Sequence, residues 1–296
     1  MKTQTIYVFG TIVGAGILYA AYKKLKVREI VYEIPTKWRA IGKLQSLHMH
    51  ILKNGQEYEI REGVCTKYGL VKKINGVEWR DQSILVYDPK SMEIKSSQQY
   101  PVILTITVKP MPWKKFGLSS PDQEEILINL PELIEQTKLN IPNKNCWDCG
   151  DEAANFISKI IPKQIEGLRL CYHDYSKSTN TIYHLINKNS VETLNKQLEI
   201  PVSEHYFRPN FFVFGHHIQP WEEESWKWVK IGAAVFKNLK SCEKSKEVGD
   251  EKTKKKVELL KMNKKNHCCD GCPEVGIYLE TYIEGIVHVH DQVFVN

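Results

Sequence analysis

The chain has 296 residues, 42% hydrophobic and 26% charged, with a formal net charge of +6. That composition excludes a disordered chain and suits about two folded domains. The basic excess is small, and no long basic helix or RNA-binding aromatic motif accompanies it, so no nucleic-acid partner is expected.

The first element is Thr5–Tyr22, a stretch without a single charge. Its length meets the roughly 17–25 residues that span a bilayer. Tyr19 and Tyr22 close it, and Lys23, Lys24, Lys26 and Arg28 follow at once, with only Lys2 in front. The positive-inside rule then places the body on the cytosolic side. A cleaved signal peptide would carry its charge before the apolar run, so the segment reads as an anchor covering residues 1–26. The eight cysteines are too few for a disulfide scaffold at this length and read as mostly reduced thiols.

From Val27 to about residue 140 the pattern is β-rich. Ser46–Ile51 alternates loosely, Asn54-Gly55 and Asn75-Gly76 punctuate as turns, and Ser83–Tyr87 is a short apolar run. Val102–Val108 alternates as a strand that Lys109-Pro110-Met111-Pro112 ends, and Ile126, Ile128 and Leu130 form another period-2 set.

Composition shifts near Asn140–Lys144. Asp151–Ile161 is a helix with Ala153, Phe156, Ile157, Ile160 and Ile161 on one face, stopped by Pro162. Ser190 can N-cap a second helix carrying Val191, Leu194 and Leu198. Phe211–Phe214, Trp228–Ile231 and Ala233–Leu239 read as strands, and the end reads as a hairpin turning at Glu284-Gly285. Lys252–Lys265 reads as a solvated loop, with anionic lipid headgroups as the alternative contact, and Glu222-Glu223-Glu224 as a surface turn.

Four groups of residues carry candidate chemistry. Arg208 and Asn210 flank Pro209 and lead into the apolar run Phe211–Phe214. A guanidinium fork and an amide at that spacing suit a planar, anionic ligand. Cys146-x-x-Cys149 and Cys268-Cys269-x-x-Cys272 have spacings that zinc uses, against the plainer reading as loop and core thiols. His288 and His290 share one face of a strand and read as solvated; His216-His217 reads as loop.

The chain resembles the MOSC-domain family over its second half. Asp148-Cys149-Gly150 leading into the helix, Ser190–Leu198, Phe207-Arg208-Pro209-Asn210, Ser225-Trp226 with Ile231-Gly232, Ser241–Ser245 and the end from Gly276 carry the likeness. With the anchor added, it resembles the mitochondrial amidoxime-reducing branch, and Trp79–Val86 and Lys95–Pro101 match that branch's N-terminal domain in outline. The resemblance implies a mainly β, α+β fold: an anchor (1–26), a β-rich N-terminal domain (27–140) and a MOSC β-barrel (141–296).

It also implies a molybdenum–molybdopterin cofactor, reduction of N-hydroxylated compounds, and electrons from cytochrome b5 and its reductase. The expected location is the outer mitochondrial membrane, body facing the cytosol. Arg208, Asn210, Thr36, Ser97 and Thr181 are the implied cofactor contacts. Ser245 stands where the family places its metal-ligating cysteine, with Cys242 the alternative. The family's Lys-Ser pair falls at about Pro35-Thr36, an arginine at Ser97, and a Thr-Ser pair at about Asn180-Thr181. These departures leave two readings: a divergent reductase, or a catalytically inactive MOSC paralogue serving as a membrane-tethered binding or scaffold protein.

Overall fold

A computed structural model describes residues 34–161, 167–174, 181–198, 200–239 and 275–296. The anchor segment Thr5–Tyr22, the run Lys252–Lys265, and Cys242, Ser245, Cys268 and Cys272 lie outside these residues. Among the described residues no helix is long and apolar enough to cross a membrane. The chain divides into two units, Met1–Lys37 and Trp38–Asn296.

The second unit is mainly β. In chain order its strands are β1 Arg39–Met49, β2 Tyr58–Ile60, β3 Glu62–Thr66, β4 Gly69–Ile74, β5 Val77–Arg80, β6 Ile84–Asp88, β7 Glu93–Lys95, β8 Thr107–Met111, β9 Lys115–Ser120 and β10 Gln123–Asn129. There follow β11 Lys138–Leu139, β12 Cys146–Asp148, β13 Arg169–His173, β14 Ile182–Asn187, β15 Phe211–Phe214, β16 Trp228–Ile231, β17 Ala234–Leu239, β18 Ile277–Ile283, β19 Gly285–His288 and β20 Gln292–Val295.

The largest sheet runs β15-β14-β18-β17-β16-β20-β1-β2, and a further pairing of β1 with β15 closes it into a barrel. Strand β1 closes it because two register shifts let one strand serve several partners. It pairs with β20 along Arg39–Lys43, with β15 along Lys43–Leu47 and with β2 along Leu47–Met49. At the seam the backbones approach too closely for a side chain. A β-carbon on Gly42 would lie 2.2 Å from the Phe214 carbonyl oxygen, and one on Gly215 would lie 2.1 Å from that of Ile41. The barrel is filled by Leu44, Leu47, Tyr183, Leu185, Phe211, Val213, Phe236 and Val293, all buried. Tyr183 stacks on Phe211 at 5.4 Å.

In three of the four sheets, strands from the two sides of residue 140 pair with each other; the β8–β10 sheet is the exception. β13 pairs with β6, and β19 with β3. The expected terminal hairpin is therefore not one: β18 lies between β14 and β17 in the barrel, whereas β19 belongs to the sheet of β3, β4 and β5. Four more expectations change. Pro101 opens a 3-10 turn, Pro101–Thr105, so the strand begins only at Thr107. Pro110 lies within β8, which tolerates it as an edge strand of the β8–β10 sheet. The helix Asp151–Ile160 is as expected, but the second, Lys188–Asn195, is capped by Asn187, whose side chain accepts from the Asn189 N–H.

Ser190 instead points inward and donates to Glu223 at 2.7 Å. Glu222–Ser225 is a turn with Glu224 exposed, as expected, but the Glu223 side chain turns inward: it is 0% exposed and also accepts from the Asn187 amide at 3.0 Å. Burial raises its pKa, against the pull of those donors.

Candidate functional site

Arg208 ends a 3-10 turn, Glu204–Phe207, in the left-handed conformation, with φ 55°. That turns its side chain back across the barrel seam toward the segment after β1. Its guanidinium meets His50 Nδ1 at 3.0 Å. A guanidinium only donates, so Nδ1 accepts and the histidine proton sits on Nε2. Burial, then the Arg208 charge, hold His50 well below its ordinary pKa, and it stays neutral.

Beneath this pair Asn210 is buried. Its Oδ1 accepts the His184 N–H at 3.1 Å, and its Nδ2 donates to the His48 carbonyl at 3.2 Å and to Asp81 Oδ2 at 3.4 Å. Its backbone joins the same seam, with the N–H to the His184 carbonyl and the carbonyl to the His48 N–H. Asp81 Oδ1 accepts the His50 N–H at 2.5 Å. Burial raises the Asp81 pKa to about 6, opposed by the His50 N–H, the Asn210 amide and the Arg208 charge.

A second cluster continues along the same chain segments. His50–Lys53 runs beside Asp81–Ile84: Gln82 N–H bonds to the His50 carbonyl, and Lys53 N–H to that of Ile84. The Ser83 carbonyl then takes the His173 N–H at 2.7 Å. Half-buried Lys53 and Lys144 act on buried His173, whose pKa falls to about 4, through burial first and then the Lys144 and Lys53 charges. Lys144 is itself lowered by burial and by Lys53. Among the described residues neither ammonium has a carboxylate partner, and the buried Ser83 hydroxyl has no hydrogen-bond partner. Unpaired cations beside an unsatisfied donor make a place suited to an anion.

The predicted residues divide accordingly. Arg208 and Asn210 sit together. Thr181 approaches the same network: a β-carbon on Gly69 would lie 3.5 Å from its methyl group and 3.8 Å from the Asp81 side chain. Ser97 is buried in the turn after β7, and Thr36 is exposed in the first unit. Cys146 and Cys149 face different places. Cys146 joins a small cluster with Leu85, Tyr87 and Cys171, while Cys149 joins the main core, where burial raises its thiol pKa. Among the described residues no group of three or more His, Cys, Asp or Glu is placed to hold a metal.

Sequence reasoning missed His48, His50, Asp81, Lys53 and Lys144. Local pattern did not mark the first two, since histidines at 48 and 50 alternate with Leu47, Met49 and Ile51. That spacing sets them on the face opposite those apolar residues, which alone reads as solvated; their burial comes from the distant chain that packs there.

A barrel closed by its own first strand, with the Arg-Pro-Asn element on its seam, defines a class. Residues 173–294 match the family described as MOSC domain, and the chain carries such a domain. Its curated relatives are amidoxime-reducing components. The chain is 22% identical to mitochondrial amidoxime-reducing component 1 of Danio rerio, over 99% of this chain and 94% of that protein. It is 26% identical to mitochondrial amidoxime reducing component 2 of Rattus norvegicus, over 68% of this chain and 64% of the relative. The Mus musculus component 1 is 21% identical over the same shares.

Proposed function

We propose that the chain is a divergent, membrane-anchored molybdenum-cofactor oxidoreductase of the amidoxime-reducing type. The observation that carries this is Arg208, set on the barrel seam against His50, with a second cationic group, Lys53 and Lys144 about His173, farther along the same chain segments. A guanidinium so placed suits the phosphate end of a pterin cofactor, which Arg208 would hold, with Thr181 close to the same network. When bound, the molybdenum would supply the two-electron chemistry of reducing an N-hydroxylated substrate. Ser245 is the proposed metal-side residue and Cys242 the alternative. Thr5–Tyr22 is the proposed anchor, with the outer mitochondrial membrane as its location and cytochrome b5 with its reductase as electron donors.

A second reading has its own support. Asn210 has both amide N–H donors committed within the protein, so it has no donor left for an anionic ligand. That favours a MOSC protein that keeps the fold without the chemistry.

Metal and pterin analysis of the full chain, made in a cofactor-competent host, separates the two. The reductase reading expects molybdenum and pterin, greater molybdenum retention in Ser245→Cys, and loss of model amidoxime reduction in Ser245→Ala or Cys242→Ala. Absence of molybdenum from the wild type and from Ser245→Cys would sink it. For the anchor, moving Lys23, Lys24, Lys26 and Arg28 to the N-terminal side is expected to invert or misdirect the protein; unchanged targeting would rule the charge asymmetry out as the signal.

A further inference from the structure

The hairpin between β8 and β9 has a feature that the reductase reading does not use. Its connection is Pro112-Trp113-Lys114, across which Met111 pairs with Lys115. Trp113 is 86% exposed, the most of any large hydrophobic side chain among the described residues. Trp113 and Lys114 both have positive φ, 63° and 54°. Glycine and asparagine enter that region readily; tryptophan and lysine do not. Nothing in the fold is served by a tryptophan held in water on a strained tip.

The sheet behind the tip is polarised. Val108, Phe116, Leu118 and Ile128 face the core. On the outward face Lys109, Gly117 and Leu127 lie in register, and Leu127 is 50% exposed. Lys109, Lys114 and Lys115 have no carboxylate partner among the described residues. Of the exposed acids, Asp122 and Glu124 lie toward the opposite end, where Gln123 pairs with Ser120, while Glu125 reaches back over Gly117 and Glu132 follows Leu130, so the tip itself, Trp113 with Lys114 and Lys115, is the basic end. The chain leaving β10 starts at the tip, through Leu130 N–H to the Lys114 carbonyl at 2.7 Å, and then exposes Leu133 and Ile134.

We propose that this tip is a bilayer-docking element: Trp113 enters the headgroup boundary, and Lys109, Lys114 and Lys115 meet anionic headgroups. Indole rings favour that boundary, and basic residues beside it add attraction to an anionic leaflet. A single convex side chain needs no matching pocket in a fluid interface, whereas a protein partner would have to supply one. The inference rests on the anchoring reading only in that an anchored body is held close to lipid.

The test uses the full chain and phosphatidylcholine vesicles with or without phosphatidylserine, part of the lipid brominated near the headgroup. Subtracting Trp113→Ala from wild type isolates the signal of one tryptophan among seven. On anionic vesicles that signal is expected to be quenched by brominated lipid and shielded from acrylamide. Each lysine contributes on the order of fivefold to docking, so Lys114→Glu with Lys115→Glu abolishes the quench. Flotation reports the anchor separately. An anchored chain floats on neutral and anionic vesicles alike and resists salt; a chain held by the tip alone floats only on anionic vesicles and is released by salt. A floated wild type whose Trp113 stays open to acrylamide and untouched by brominated lipid overturns the docking alone and leaves the patch to an acidic protein. A chain that floats on neither vesicle overturns both readings.

Discussion

Asn210→Ala is the sharpest perturbation of the seam. The change removes a side chain that satisfies three partners: the His184 N–H at 3.1 Å, the His48 carbonyl at 3.2 Å and Asp81 Oδ2 at 3.4 Å. All three partners stay in place and lose that bond. An unsatisfied buried polar group costs about 1–3 kcal/mol; with the 3.4 Å contact counted as weak, the expected loss is about 3–5 kcal/mol. Urea unfolding of the protein without added ligand, followed by tryptophan fluorescence, reads this directly. A loss under about 1 kcal/mol would refute the reasoning. It would mean that the amide is not committed to the barrel, and Asn210 would return to the list of groups available to a cofactor.

Asp81→Asn tests the same seam by pH. The native carboxyl titrates at about 6, above its ordinary 3.8, so the folded state holds the proton more tightly. Its contribution is fully present below about pH 4 and is lost as pH rises through 6. The loss is about 3 kcal/mol for a shift of this size. Wild type is expected to lose most of that, about 2.4 kcal/mol, relative to the variant between pH 4 and 7, and parallel stability curves would contradict it. Gly42→Ala forces a β-carbon to 2.2 Å from the Phe214 carbonyl and is expected to destabilise by about 2–3 kcal/mol in thermal unfolding. Glu223→Ala strands the Ser190 hydroxyl and the Asn187 amide, at a cost of about 2–4 kcal/mol in urea unfolding, with Glu223→Gln milder.

Local pattern carried most of the β character. The runs at Phe211–Phe214 and Trp228–Ile231 and the helix after Gly150 lie where apolar spacing puts them. Partnership was not legible. Nothing in Arg39–Met49 says that it pairs with strands near 213 and 293, because register shifts and two seam glycines decide that. The same holds at the site. Arg208 and Asn210 were visible as a spacing, but their partners His50 and Asp81 come from chain distant in sequence. Glu223 looked solvated beside two other glutamates, since only tertiary structure brings Ser190 and Asn187 to it.

The closing strand also sets the timing of assembly. Gly42 and Gln292, joined across the seam, are 250 positions apart along the chain. During synthesis β1 emerges long before the strands that flank it, so its apolar residues wait unpaired while the rest of the chain is made. Such distant closure makes for slow folding, with an edge exposed to other chains in the interval. The protein is thus most vulnerable to aggregation before β15 and β20 arrive. Weakening the seam would lower yield on expression before it altered any property of the finished fold.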